Sequence, residues 1–228
     1  MIKPPPPKEA IFDWDVLNWS RALDFWRPFI SSKPNQTALA VGERNGGLSL
    51  WLASNGISTV SSDLEGVTPR ARDAHRRYEV TGLIQYKEAD ITNLPFPDRS
   101  FDIVTFKSVL GALRTEELQR QALNELCRVL KDGGVLIFAE NLAGSPLHRF
   151  FRRKFVRWAT YWRYPSMTEL GQWLATHGKI VLKSHGFLGA FGRSEKQRRV
   201  LARIDGIVSP LIPPTMRYIA FGALRRES

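Results

Sequence analysis

The sequence predicts an α/β fold, a doubly wound and mainly parallel sheet in a single domain. Three observations predict it. Between residues 37 and 141, short apolar runs alternate with helical stretches. Glycine, asparagine and aspartate punctuate the junctions between them. The chain has 228 residues, 43% of them hydrophobic and 24% charged, which suits one domain with a sizeable core.

Taken in order, residues 1–10 ("MIKPPPPKEA") read as a stiff, flexible-ended polyproline II tail. A proline run stands where the apolar region of a signal peptide would be. Residues 11–30 carry Trp14, Leu17, Trp19, Leu23, Phe25 and Trp26 at three- and four-residue steps. That spacing predicts one helix with an apolar stripe, ended by Pro28 and laid against the main domain. "TALAVG" is a short buried strand. "GGLSLWLASNG" is a helix stopped by Asn55 and Gly56. "ISTVSSD" is the second strand, and "RARDAHRRYEVTG" a polar helix ending at Gly82. "LIQYKEAD" and "FDIVTFKS" are strands three and four. Thr115 caps "EELQRQALNELCRVL", which has acids in its first turn and apolar positions at helical spacing. Asp132-Gly133-Gly134 turns into "VLIFAE", strand five. Beyond it come the helix "SMTELGQWLATHG", the strand "KIVLKSHGF", the basic helix "SEKQRRVLARIDGIV" and the strand "TMRYIAFGALRRE". The last two strands fit an antiparallel pair at the sheet edge. Right-handed crossovers put the carboxyl ends of the parallel strands on one rim, where such sheets bind ligands.

Charge and cysteine content narrow the partners. The net charge is +11, and residues 146–228 hold 16 Lys and Arg against 4 Asp and Glu. An anionic partner there is one reading and a solubilising surface the other. The single cysteine, Cys127, sits on the buried face of its helix; it reads as a packed thiol in a reducing compartment. No apolar run reaches the ~20 residues of a membrane span. The expected location is cytoplasmic, with a peripheral place on the inner membrane face as an option. No metal site is predicted.

The loop "GERNGG" after the first strand suits a ligand. Gly42 permits a tight turn and Gly46 starts a helix, leaving backbone N–H groups outward. Asp63 ends strand two, 21 residues after Gly42, where an acid can accept both hydroxyls of an adenosine ribose. Leu64 follows it. Asp90 ends strand three; its carboxylate can take an adenine amino proton while the Ile91 N–H reaches a ring nitrogen, or it can simply cap the turn. The spacing Gly-x-Gly-x-x-Gly of nicotinamide dehydrogenases is absent from this loop.

The segments "LAVGERNGG", "SSD", "EADITNLPFPDRSFDIV" and "RVLKDGGVLIFAE" together resemble class I S-adenosylmethionine-dependent methyltransferases, over residues 37–141. The resemblance implies a Rossmann-like seven-stranded sheet in the order 3-2-1-4-5-7-6, strand seven antiparallel, and S-adenosylmethionine as cofactor. Ala40 and Arg44 replace the acid and the middle glycine of the usual loop. Glu43 then takes the acid's role toward the methionine amino group and Arg44 pairs with its carboxylate, or both point to solvent. Lys107, at the end of strand four, lines the cofactor pocket or pairs with an acid. "GGLSLWLA", "FKSVLGAL", "FAENLAGSPLH" and "WRYP" are similar to a narrower set linked to bacterial surface-polysaccharide (lipopolysaccharide or capsule) assembly. That similarity implies a glycan or lipid-linked saccharide hydroxyl as acceptor and an O-methyltransferase. A general base would help, with His148 the first candidate and Glu140 the second. His148 reads equally as a surface histidine at a helix start. The segment "HRFFRRKFVRWATYWRYP" interleaves basic and aromatic residues, suiting an anionic membrane, a sugar phosphate, single-stranded RNA, or only a helix packed on the core. The alternatives are an RNA or other small-molecule methyltransferase, and a non-catalytic protein of the same fold that docks on a membrane or partner.

Overall fold

The computed structural model describes residues 5–30, 35–156 and 161–227. Residues 1–4 of the proline tail, and 157–160 of the basic aromatic segment, lie outside them. Seven strands form one sheet in the order β3-β2-β1-β4-β5-β7-β6. They are β1 (Thr37–Val41), β2 (Ser58–Asp63), β3 (Ile84–Glu88), β4 (Phe101–Lys107), β5 (Leu130–Asn141), β6 (Gly178–His185) and β7 (Ile219–Arg226). β1 to β5 pair in parallel, and β7 lies antiparallel between β5 and β6. The expected order and direction are those observed.

The strands are near-continuous apolar runs because both faces are covered. Leu39, Val41, Val104, Phe106, Leu136 and Phe138 face one side, where α6 (Glu116–Arg128) and α8 (Met167–Ala175) bring Leu123, Leu126, Leu170 and Leu174. Phe106 and Phe138 stack there, centroids 5.1 Å apart. Ala38, Ile103, Ile137 and Phe221 face the other side, against α4 (Gly47–Ser54) and the N-terminal segment. Cys127 is buried on α6, its thiol pushed up to about 12 by burial. Thr115 caps α6 as expected, accepting from the Leu118 N–H.

The N-terminal segment departs from expectation. It is not one helix over 11–30 but three short ones: α1 (Lys8–Ile11), α2 (Val16–Trp19) and α3 (Arg21–Trp26), closed by a 3-10 turn at Arg27–Phe29. The break is at Asp15, which adopts left-handed φ 46° and cannot continue a helix. The proline-rich stretch is not a free tail throughout, since Pro6 is buried and Ile11 is 3% exposed. The apolar stripe does what was expected of it. Trp19 and Trp26 are fully buried under the sheet, and the Trp26 Nε1–H donates to the Gly222 carbonyl of β7 at 3.1 Å.

Three more helices finish the fold: α5 (Pro69–Arg77), α7 (Pro146–Phe155) and α9 (Glu195–Val208). No helix among the described residues is long and apolar enough to cross a membrane. Among them no group of three His, Cys, Asp or Glu is placed to hold a metal.

Candidate cofactor and acceptor site

The parallel register puts the ends of β1, β2 and β3 side by side. Val41 pairs with Ser62, and Asp63 with Glu88. Gly42, Asp63 and Asp90 therefore stand along one rim in the order of their strands. Gly42 has φ +69°, and a Cβ there would lie 2.3 Å from Val109 Cγ2, so the turn needs glycine. Gly46, φ +70°, is held from below by His75. Its Nε2 lies 2.9 Å from the Gly46 carbonyl and its Nδ1 2.9 Å from the Tyr86 hydroxyl. Burial lowers the His75 pKa, so the ring braces the loop as a neutral group.

Glu43 does not face the crevice as expected. It turns inward, 3% exposed, and its carboxylate accepts from the Leu48 and Ser49 N–H groups at 3.3 and 2.8 Å and from Ser49 Oγ at 2.8 Å. Gly46 at the N-cap has no side chain, so Glu43 satisfies the orphan donors of α4 in its place. Burial raises its pKa against these donors and the nearby Lys107. Arg44 is exposed, and its charge acts on Asp63. Its carbonyl accepts from the Thr68 hydroxyl at 2.7 Å, which ties the loop to the start of α5.

Asp63 is half-buried. Burial raises its pKa, opposed by the Glu65 and Leu64 N–H groups and by Arg44. Leu64 beside it is 66% exposed, an apolar shelf at the rim. Asp90 closes a turn through Oδ1, which accepts from the Thr92 N–H and Oγ1, both at 2.8 Å. Ile91 is buried behind it. Lys107 lies 3.7 Å from Asp13 and 5.3 Å from the Phe12 ring centroid, so it pairs with an acid, from a segment the sequence reading had not linked to this rim. Asp13 also lies 3.7 Å from Arg70. The same segment covers the start of α4: a Cβ on Gly47 would meet the Ile11 carbonyl at 2.1 Å.

Beyond β4, the acceptor side is set by Glu140 and Asn141. Glu140 is fully buried. Its Oε2 accepts from the Val109 and Leu110 N–H groups, both at 2.9 Å, and its Oε1 from the Asn141 N–H at 2.8 Å. Burial still carries its pKa up to about 7. It clamps the loop after β4, closer to a turn cap than to a free general base. Asn141 Nδ2 donates to Ser108 Oγ at 2.7 Å, and Ser108 itself has φ 55°. A strained serine held at a strand end is a functional signal that only backbone geometry reveals. Trp162 lies over this loop; a Cβ on Gly111 would sit 1.5 Å from its Nε1.

His148 is corrected from base to structural residue. It is 1% exposed in the capping box of α7, ringed by Phe187, Phe191 and Tyr218. Nδ1 accepts from the Ser145 N–H at 3.1 Å, so Nε2 carries the proton, 2.8 Å from the Phe187 carbonyl. Burial holds its pKa down to about 4. With both nitrogens engaged it has no lone pair for a substrate.

These residues fit an adenosyl ligand: a glycine turn with no room for a side chain, a half-buried acid on the next strand, and an apolar shelf beside it. They do not fit an acid reaching the methionine amino group from Glu43.

Residues 39–138 match the family model described as a methyltransferase domain. Among curated relatives, the chain is 37% identical over 139 residues to a demethylmenaquinone methyltransferase of Thermus thermophilus, covering 56% of this chain and 60% of that protein. It is 39% identical over 103 residues to a demethylmenaquinone methyltransferase of Clavibacter sepedonicus, covering 45% of this chain and 39% of that protein. The chain thus spans between two and three fifths of those relatives. Among solved structures, phosphoethanolamine N-methyltransferase 2 of Haemonchus contortus with S-adenosyl-L-methionine aligns with a TM-score of 0.65 at 17% identity, over 92% of this chain and 53% of that one. The [4+2]-cyclase SpnF aligns with a TM-score of 0.63 at 20% identity, over 91% and 81%. The fold is the Rossmann-like one of these solved structures. The matched domain, with this fold, supports S-adenosylmethionine as the cofactor.

Proposed function

We propose that this chain is an S-adenosylmethionine-dependent methyltransferase acting on a small acceptor whose nucleophile is already electron-rich. The observation that carries the first part is the alignment of Gly42, Asp63 and Asp90 on adjacent strand ends, with Leu64 exposed between the two acids. Asp63 takes the ribose hydroxyls, Leu64 lies against the adenine, and Asp90 with the Ile91 N–H reads its edge. Arg44, close enough to act on Asp63, pairs with the methionine carboxylate. Lys107 holds the Asp13 segment across the rim and excludes water. The bound cofactor supplies an activated sulfonium methyl, so the protein's task is positioning.

The acceptor reading rests on what the histidines and Glu140 do. His75 and His148 have both nitrogens engaged, His185 meets Asn18 Oδ1 at 3.1 Å, and His177 meets Asn124 Oδ1 at the far edge of the sheet. A sugar hydroxyl needs a base to be a competent nucleophile. The curated relatives are named for a quinone, and the electron-rich ring of its reduced, quinol form needs much less help. The second reading keeps the O-methylation of a surface glycan or lipid-linked saccharide, favoured by the basic third of the chain. A methyltransferase for RNA, and a non-catalytic protein of this fold, follow as rivals.

Calorimetric titration with S-adenosylmethionine tests the cofactor. Saturable binding that weakens in Asp63→Ala supports the reading, and no binding ends it. Labelled-methyl transfer to reduced quinones, extracted lipid-linked saccharides and RNA then decides the acceptor. Transfer to saccharide alone overturns the quinol-type reading.

A further inference from the structure

We propose that the outer faces of α7 and α9 form a docking surface for an anionic lipid bilayer. α9 and the 3-10 turn that follows it (Ser209–Leu211) have an inverted pattern. Ala202, Asp205 and Ser209 face inward, yet the opposite stripe is apolar as well: Val200, Ile204, Ile207 and Leu211, spaced four, three and four residues apart. Ile207 is 76% exposed and Leu211 84%. On one flank of this stripe lie Lys196, Arg199 and Arg203. α7 repeats the arrangement. Leu147, Phe150, Phe151 and Phe155 are exposed at helical spacing, with Arg149, Arg153 and Lys154 among them.

Large aliphatic and aromatic side chains standing in water beside cations are the pattern of a helix lying in the plane of a membrane interface. The charge fits one sign of lipid. Residues 146–228 carry 16 basic against 4 acidic side chains. A bilayer with anionic headgroups supplies the complementary field, which attracts each Lys and Arg near its surface.

The two helices are joined and adjoin the candidate site. Phe151 of α7 packs on Phe191 at 5.1 Å, and Arg193, just before α9, lies 5.0 Å over the Phe155 ring. Four residues separate the end of β5 from the start of α7. Glu195, at the start of α9, accepts from the Asp15 and Val16 N–H groups at 2.9 and 3.0 Å, next to the segment that crosses the cofactor rim. A bilayer against this surface lies beside the crevice, so an acceptor with a lipid tail can present its head without leaving the membrane.

The test is sedimentation of the full chain with vesicles of phosphatidylcholine alone, and with vesicles of phosphatidylcholine mixed with phosphatidylglycerol. Binding needs no turnover and no cofactor, so its outcome is separate from that of the methyl-transfer reading. The expected result is binding to the mixed vesicles only, weakened about tenfold or more by Ile207→Ser with Leu211→Ser. Arg153→Glu with Arg203→Glu removes the preference for anionic lipid. These positions are exposed, so thermal melting of each variant stays at the wild-type value. Four results overturn the proposal: no sedimentation, equal binding to both vesicles, binding unchanged in the serine variant, and a dimer in solution that the serine variant dissociates. Salt-sensitive capture of single-stranded RNA with no vesicle binding overturns it in favour of a nucleic-acid surface.

Discussion

Replacing Asp15 by asparagine isolates one buried charge. Asp15 sits between α1 and α2 with its side chain fully enclosed. The Tyr218 hydroxyl donates to its Oδ2, Asn18 Nδ2 approaches the same oxygen at 3.4 Å, and Oδ1 has no hydrogen-bond partner among the described residues. Burial is the main cause that pushes its pKa from 3.8 up to about 7, with Tyr218 and Asn18 opposing and the Asp205 and Glu195 carboxylates reinforcing. The folded state thus holds this proton more tightly than the unfolded chain. Its contribution is complete below pH 3.8 and is lost as the pH rises through 7. At ~1.4 kcal/mol for each pH unit, the rise amounts to about 4 kcal/mol. Asparagine has the same shape, tolerates the left-handed backbone and never ionises. The wild-type curve alone cannot show the effect, because other groups move with and against it. Glu140, near 7, loses stability in the same direction, while His148 and His185, held near 4, gain it as the pH rises toward 6.5. The quantity to measure is the difference between variant and wild type in urea denaturation, followed by tryptophan fluorescence from pH 4.5 to 8.5. Over that range the difference should grow in favour of Asp15→Asn by about 3 kcal/mol, with the urea slope unchanged. A constant offset across that range refutes the buried-charge argument.

Gly47→Ala should destabilise the protein, although alanine is the better helix former by about 1 kcal/mol, because its Cβ meets the Ile11 carbonyl at 2.1 Å. A more stable variant in denaturation shows that the N-terminal segment does not rest there. Leu64→Ser should leave stability within about 0.5 kcal/mol, since the side chain is 66% exposed, and weaken S-adenosylmethionine binding several-fold in calorimetry. Unchanged affinity removes the adenine shelf. Arg44→Ala, read in the same titration, should also lower affinity, and an unaltered value removes the carboxylate partner. His148→Gln should lower the melting temperature, by about 2 kcal/mol or more of stability, without displacing the pH profile of methyl transfer. A displaced profile returns His148 to the chemistry.

The architecture was legible because its signals are local. Alternating apolar runs, Gly56 after α4 and Thr115 before α6 announce themselves within a few residues. The rim positions Gly42, Asp63 and Asp90 were legible for the same reason, each marking a strand end. What was missed depends on distant partners. The N-terminal stripe reads as one helix until Glu195, 180 residues later, takes the Asp15 N–H and fixes the break. Glu43 looks free to meet a ligand, but the glycine N-cap of α4 leaves donors that draw its carboxylate inward. His148 looks exposed at a helix start, and only Phe187, Phe191 and Tyr218 from the far end of the chain bury it. Ser108 carried no sequence signal at all, since its distinction is a backbone angle.

The hydrogen bond between Trp26 and Gly222 joins residues 196 positions apart, and it sets an order on biosynthesis. Trp19, Trp26 and their neighbours leave the ribosome long before the strand that shelters them. At roughly 5–20 residues per second, this tryptophan-rich stretch waits for about 10–40 seconds before β7 can complete its cover. A nascent chain stalled before β7 presents a partly covered apolar segment to its surroundings, and that interval is when a chaperone has most to hold.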